Sequence, residues 1–99
     1  MRALVVDDSK AIRRIIGKIL KDLGFEVFEA GHGKEALAKL GEIGVPDLAL
    51  VDWNMPEMDG LRLLRILRHN KVYIRFGFVT AQGSPEMREK ARNAGANFL

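Results

Sequence analysis

Cysteine is absent from this sequence of 99 residues, and tryptophan and tyrosine occur once each. The lack of cysteine excludes a disulfide framework and any thiolate metal site, and it fits a reducing compartment. No apolar run approaches the ~20 residues needed to span a bilayer. The apolar part of the amino-terminal "MRALVVDD" is too short for a signal peptide. The expectation is a cytoplasmic protein with no membrane partner. Neither sign of charge dominates, with 16 basic and 13 acidic residues and a net charge of +3. A chain of this length holds a single domain with one core.

The arrangement of the charges says more than their sum. Lys10, Arg13, Arg14, Lys18 and Lys21 share one segment, while acids gather at Asp7, Asp8, Asp52, Glu57 and Asp59. The basic residues alternate with an apolar stripe and have no interleaved aromatics, so they read as a solvated helix face, and direct nucleic-acid binding is not expected.

Periodicity divides the chain into alternating units. "RALVV" (2–6) reads as a buried strand ending in two acids. "SKAIRRIIGKILKDLG" (9–24) puts Ile12, Ile15, Ile16, Ile19, Leu20 and Leu23 on one face of a helix that Gly24 can end. "FEVFEA" (25–30) alternates as a strand, and 33–44 reads as a helix with Ala36, Leu37, Leu40 and Ile43 inward. Pro46 introduces the strand "DLALVD" (47–52), and 60–70 is a helix with Leu61, Leu64 and Leu67 on one side. "IRFGFVT" (74–80) is a strand weakened by Gly77. The helix at 84–95 has Ser84 as N-cap, Pro85 at its first position and Gly95 at its end. A further strand begins at "NFL" (97–99). Such alternation predicts an α/β fold, a doubly wound parallel sheet covered by helices on both faces.

In an open parallel sheet, ligands gather at the carboxyl ends of the strands. Asp7 and Asp8 end the first strand, Asp52 the third, and Thr80 the fourth. Clustered carboxylates repel unless a cation stands among them. A donor set of oxygen alone suits Mg²⁺ or Mn²⁺. An aspartate beside such an ion can act as the nucleophile in phosphoryl transfer.

"LVVDDS" (4–9), "DLALVDWNMPEMDG" (47–60), "VTA" (79–81) and "AGAN" (94–97) resemble the receiver domain of two-component response regulators, in its single-domain chemotaxis form. The resemblance covers essentially the whole chain, 1–99. It implies a flavodoxin-like fold with strand order 2-1-3-4-5 and phosphorylation of Asp52 by a phosphohistidine on a sensor histidine kinase or phosphotransfer protein. It implies metal ligation by Asp7, Asp8, Asp52 and the backbone carbonyl of Asn54, with Asp8 the more direct ligand. Thr80 would be the switch hydroxyl and Phe98 the aromatic that rotates inward beneath the fourth helix. Met55, Pro56 and Gly60 would shape the loop beside Asp52, and a downstream protein would dock along helix 84–94 and strand 97–99.

Receiver domains continue into a Lys-Pro pair and a fifth helix, neither of which this sequence contains. The expectation is a receiver domain truncated or incomplete at its C-terminus, with an uncovered sheet face open to dimerisation. A phosphorylation-switched module, not an enzyme turning over a metabolite, is the leading reading. The alternative is a receiver-shaped protein-binding module that does not use phosphate. A hydrolase of the haloacid dehalogenase kind would want an acid two residues after its nucleophile, where this chain has Asn54.

Overall fold

Alternating strand and helix signals become alternating elements in a computed structural model of the chain, which describes every residue except 56, 57, 81, 82 and 99. In order these are β1 (Arg2–Val6), α1 (Lys10–Asp22), β2 (Glu26–Ala30), α2 (Gly33–Ile43), β3 (Leu48–Asp52), α3 (Gly60–His69), β4 (Arg75–Val79) and α4 (Pro85–Ala94). Local chemistry sets the boundaries. The side chains of Ser9, Asp59 and Ser84 each accept a hydrogen bond from the backbone N–H three residues on, which satisfies an orphan donor of the helix they open. Gly95 ends α4 in the left-handed conformation, at φ 99°.

The strands form one parallel sheet in the order β2-β1-β3-β4. This is the flavodoxin-like order expected for the first four strands. Beyond β4 the backbone of residues 97–98 starts to pair: the Asn97 N–H donates to the Phe76 carbonyl at 2.8 Å, and the Phe78 N–H donates to the Phe98 carbonyl at 3.2 Å. Among the described residues this contact is a single bridge between Gly77 and Phe98, not a fifth strand.

Strand side chains alternate between the two faces. Leu4, Val6, Ala49, Val51, Phe76 and Phe78 point into the larger core, under α2, α3 and α4. Ala3, Val5, Leu48 and Leu50 point to the opposite face, where Leu20 of α1 packs with them. Among the described residues no helix is long and apolar enough to cross a membrane.

The α1 stripe is only partly inward. Gly17 and Leu20 are buried and Ile16 is half-buried, but Ile12, Ile15, Ile19 and Leu23 are exposed, Ile19 at 56% and Leu23 at 71%. The helix rests on β1 and β2 along one edge of its stripe. The other edge lies off that line of contact, so a stripe too wide for one contact leaves half of itself bare.

Gly77, which weakens β4 as a strand, has a structural use. A Cβ there would overlap the Phe98 ring. Gly77 pairs in register with Leu50, so its missing side chain belongs to the α1 face. The ring therefore covers that face, opposite the one on which α4 packs, and is 43% exposed. Gly77→Ala should displace the ring and cost about 1–3 kcal/mol, as overpacking does. Urea unfolding checks this: Phe98→Ala should cost less in the Gly77→Ala background than in the parent, and additive costs would contradict the pairing.

Candidate functional site

Register brings the acids together. Val5 pairs with Leu50 across β1 and β3, so Asp7 and Asp52, two residues further along, come level at the carboxyl edge on the same face. Asp52 is paired in turn with Val79, the residue before Thr80. Asp7, Asp8 and Asp52 each place a carboxylate oxygen so that all three lie within 4.8 Å of one another. A cleft of about 490 Å³ opens there, walled by these aspartates with Ile12, Val79 and Thr80.

The three carboxylates are held to different degrees. Asp7 is 6% exposed. Its N–H donates to the Ala30 carbonyl at 3.1 Å, its Oδ1 accepts from the Ser9 N–H at 2.9 Å, and its carbonyl accepts from Arg13 Nη1 at 2.6 Å. Asp52 is half-buried and accepts a long hydrogen bond, 3.4 Å, from the Asn54 N–H. Asp8 is exposed. Ser9, not Asp8, caps α1, which leaves the Asp8 carboxylate out of the helix cap.

The loop after Asp52 closes tightly. The Gly60 N–H donates to the Trp53 carbonyl at 3.0 Å, and a Cβ on Gly60 would overlap the Asp52 carbonyl oxygen. Met55 and Met58 are buried, and Met58 lies against Gly33 at the start of α2. Pro56 of the expected loop motif lies outside the described residues, as does Ala81 of "VTA". Asn54 is exposed on the loop, and Asp59 is engaged as the α3 cap. Trp53 packs against Phe78 with ring centroids 4.7 Å apart and the ring planes tilted by 47°.

Phe98 does not share this cleft's chemistry. Its ring rests on Gly77, and the residue borders a cavity of about 190 Å³ that Arg88, Ala91 and Arg92 of α4 also line.

Burial and mutual repulsion shape the site's protonation. Desolvation raises the carboxyl pKa of Asp52 above its ordinary 3.8, and the charges of Asp7 and Asp8 add to this against hydrogen bonds from the Asn54 and Trp53 backbone. Desolvation also raises Asp7, and the Ser9 N–H offsets part of that rise. Three converging carboxylates, an all-oxygen donor set, form a ligand group compatible with a hard divalent cation.

The sequence reading grouped Arg13 with the solvated basic face. Its side chain is 17% exposed and bonds to both Asp7 and Glu29. The available signal was angular: on a helical wheel Arg13 lies beside Gly17 and Leu20, the residues that meet the sheet.

The response regulator receiver domain profile matches residues 3–99. The chain is 42% identical over 100 residues to the chemotaxis protein CheY1 of Helicobacter pylori, covering 98% of this chain and 81% of that protein. It is also 42% identical over 100 residues to a chemotaxis protein CheY homolog of Campylobacter jejuni, covering 98% and 77%. Among solved structures, chemotaxis protein CheY4 of Vibrio cholerae aligns with a TM-score of 0.90 at 35% identity, over 99% of this chain and 83% of that one. The Francisella response regulator 1452 receiver domain aligns with a TM-score of 0.90 at 32% identity, over 99% and 81%.

Raised carboxyl pKa values carry a sign for stability. The fold favours protonated Asp7 and Asp52, so that contribution is full below about 3.8 and is lost as pH rises through the raised values. Without divalent cations at neutral pH, Asp52→Asn should therefore melt a few degrees above the parent. Millimolar Mg²⁺ should raise the parent's Tm and leave the variant nearly unmoved. Calorimetry in EDTA and in Mg²⁺ checks this, and a variant that melts below the parent in EDTA would contradict it.

Proposed function

The chain belongs to the response regulator receiver domain family, and from that premise we propose that it is a phosphorylation-switched signalling module with Asp52 as phosphoacceptor. The observation that carries this reading is the convergence of Asp7, Asp8 and Asp52 within 4.8 Å at the carboxyl edge of the sheet. Of the three, Asp52 is the half-buried carboxylate, held by backbone hydrogen bonds alone, the one from the Asn54 N–H a long 3.4 Å. That leaves its oxygens more available to form a bond than those of Asp7.

The donor is a phosphohistidine on a sensor histidine kinase or a phosphotransfer protein. An Asp52 oxygen bonds to phosphorus as the bond from phosphorus to the imidazole nitrogen breaks, and the imidazole leaves with the electron pair. Asp7, Asp8, Asp52 and the Asn54 backbone carbonyl would hold Mg²⁺ or Mn²⁺. When bound, the ion offsets negative charge on the carboxylates and on the transferring phosphoryl oxygens. Thr80, in the wall of the same cleft, offers its hydroxyl to a phosphoryl oxygen.

Phosphorylation adds roughly one to two negative charges and three acceptor oxygens. Thr80 follows β4 and precedes α4, so a hydroxyl drawn toward the phosphoryl group pulls on the segment that leads into α4. The downstream partner surface is accordingly placed along α4 and residues 97–98. Two relatives are chemotaxis proteins, and a cytoplasmic role of that kind, without turnover of a metabolite, fits this reading. Self-association would use the sheet face beside α1, where Phe98 and the apolar edge of that helix are exposed.

Incubation with acetyl phosphate and Mg²⁺, trapping with borohydride and peptide mapping test the assignment. The label should fall on Asp52, and Asp52→Asn should abolish it. Label recovered on Asp7 or Asp8, or none at all with Mg²⁺ present, would contradict the reading.

A further inference from the structure

We propose that Arg13 is a positioning residue for the carboxylate site, and that Glu29 cancels its charge so that the clamp fixes Asp7 without opposing a cation. This rests on the reading of Asp7, Asp8 and Asp52 as a divalent-cation site. The Arg13 guanidinium spans two acceptors on adjacent strands: Nη1 donates to the Asp7 carbonyl at 2.6 Å, and Nε donates to Glu29 Oε1 at 3.1 Å. Register pairs Glu29 with Val5, two residues before Asp7 and on the face that α1 covers.

Asp7 is thereby held at its amide, its carbonyl and its carboxylate, and it is the fixed member around which Asp8 and Asp52 can close. The two tasks call for an arginine. Its fork reaches acceptors in two directions at once, which a lysine ammonium on a flexible stem cannot hold in one geometry. An unpaired guanidinium this close would repel a divalent cation, and the Glu29 carboxylate removes that net charge.

Mg²⁺ titration followed by Trp53 fluorescence, at low and at raised ionic strength, separates the two roles. Affinities are compared with the parent at each salt concentration. Arg13→Ala should weaken Mg²⁺ binding roughly 10-fold at raised salt, as loss of a partner behind a metal ligand does, and by less at low salt, where the uncovered Glu29 carboxylate attracts the cation. Arg13→Lys should recover only part of this. Glu29→Gln keeps an acceptor for Arg13 but uncovers the charge. It should weaken binding at low salt and return toward the parent as the Debye length contracts to ~8 Å at 0.15 M and below that at higher salt. Parent-like affinity in Arg13→Lys, or in folded Arg13→Ala, would overturn the positioning role. A salt-independent ratio for Glu29→Gln would overturn the charge-cancelling role. A parent chain that binds no Mg²⁺ would instead overturn the cation-site reading, and this inference with it.

Discussion

Repulsion among three carboxylates is the constraint on which the site depends. The parallel pairing of β1 with β3 imposes it, because the register that pairs Leu4 with Ala49 and Val6 with Val51 in the larger core also brings Asp7 level with Asp52. Slipping one strand by a single residue would relieve the acids but would turn every core side chain to the wrong face. The apolar core therefore holds the anions together. The same burial that stabilises the fold raises the carboxyl pKa values of Asp7 and Asp52, and it leaves a cluster compatible with a divalent cation.

The protein meets that constraint with graded rigidity. Asp7 is fixed from three sides, Asp52 is held loosely above a tight turn, and Asp8 stands in solvent. A rigid anchor beside adjustable partners allows a site to close on an ion and a phosphoryl group without rebuilding the sheet. The glycines serve that arrangement where close approach demands them. Gly60 lets α3 begin against the Asp52 carbonyl, and Gly77 leaves room for the Phe98 ring.

Much of this was legible in the residues. Alternating apolar periods placed all eight elements within two residues of their observed ends, because buried faces at periods of 2 and 3.6 are imposed by packing. The cap residues Ser84, Pro85 and Gly95 act through local chemistry and fell where the sequence put them. The aspartates were found because strand ends in a parallel sheet share an edge. The reading fell short where an outcome depended on what lies across a gap. Periodicity shows that Ile12, Ile19 and Leu23 share a face, but not that α1 meets the sheet mainly through β1 and β2 and leaves these three exposed. Composition shows Arg13 to be basic, but its partner Glu29 comes from a strand placed beside β1 only by the sheet order. The contact between the Phe98 ring and Gly77 was likewise not legible, since it depends on the space above a neighbouring strand.

The central claim is that Asp7, Asp8 and Asp52 form one divalent-cation site beside Asp52. The most direct measurement is a Mg²⁺ titration of Trp53 emission in the parent and in Asp8→Ala, because Trp53 follows Asp52 and packs against Phe78 of the neighbouring strand. The account predicts saturable binding on the order of millimolar or tighter in the parent, and a loss of affinity of at least several-fold in Asp8→Ala. Unchanged affinity in Asp8→Ala would contradict it.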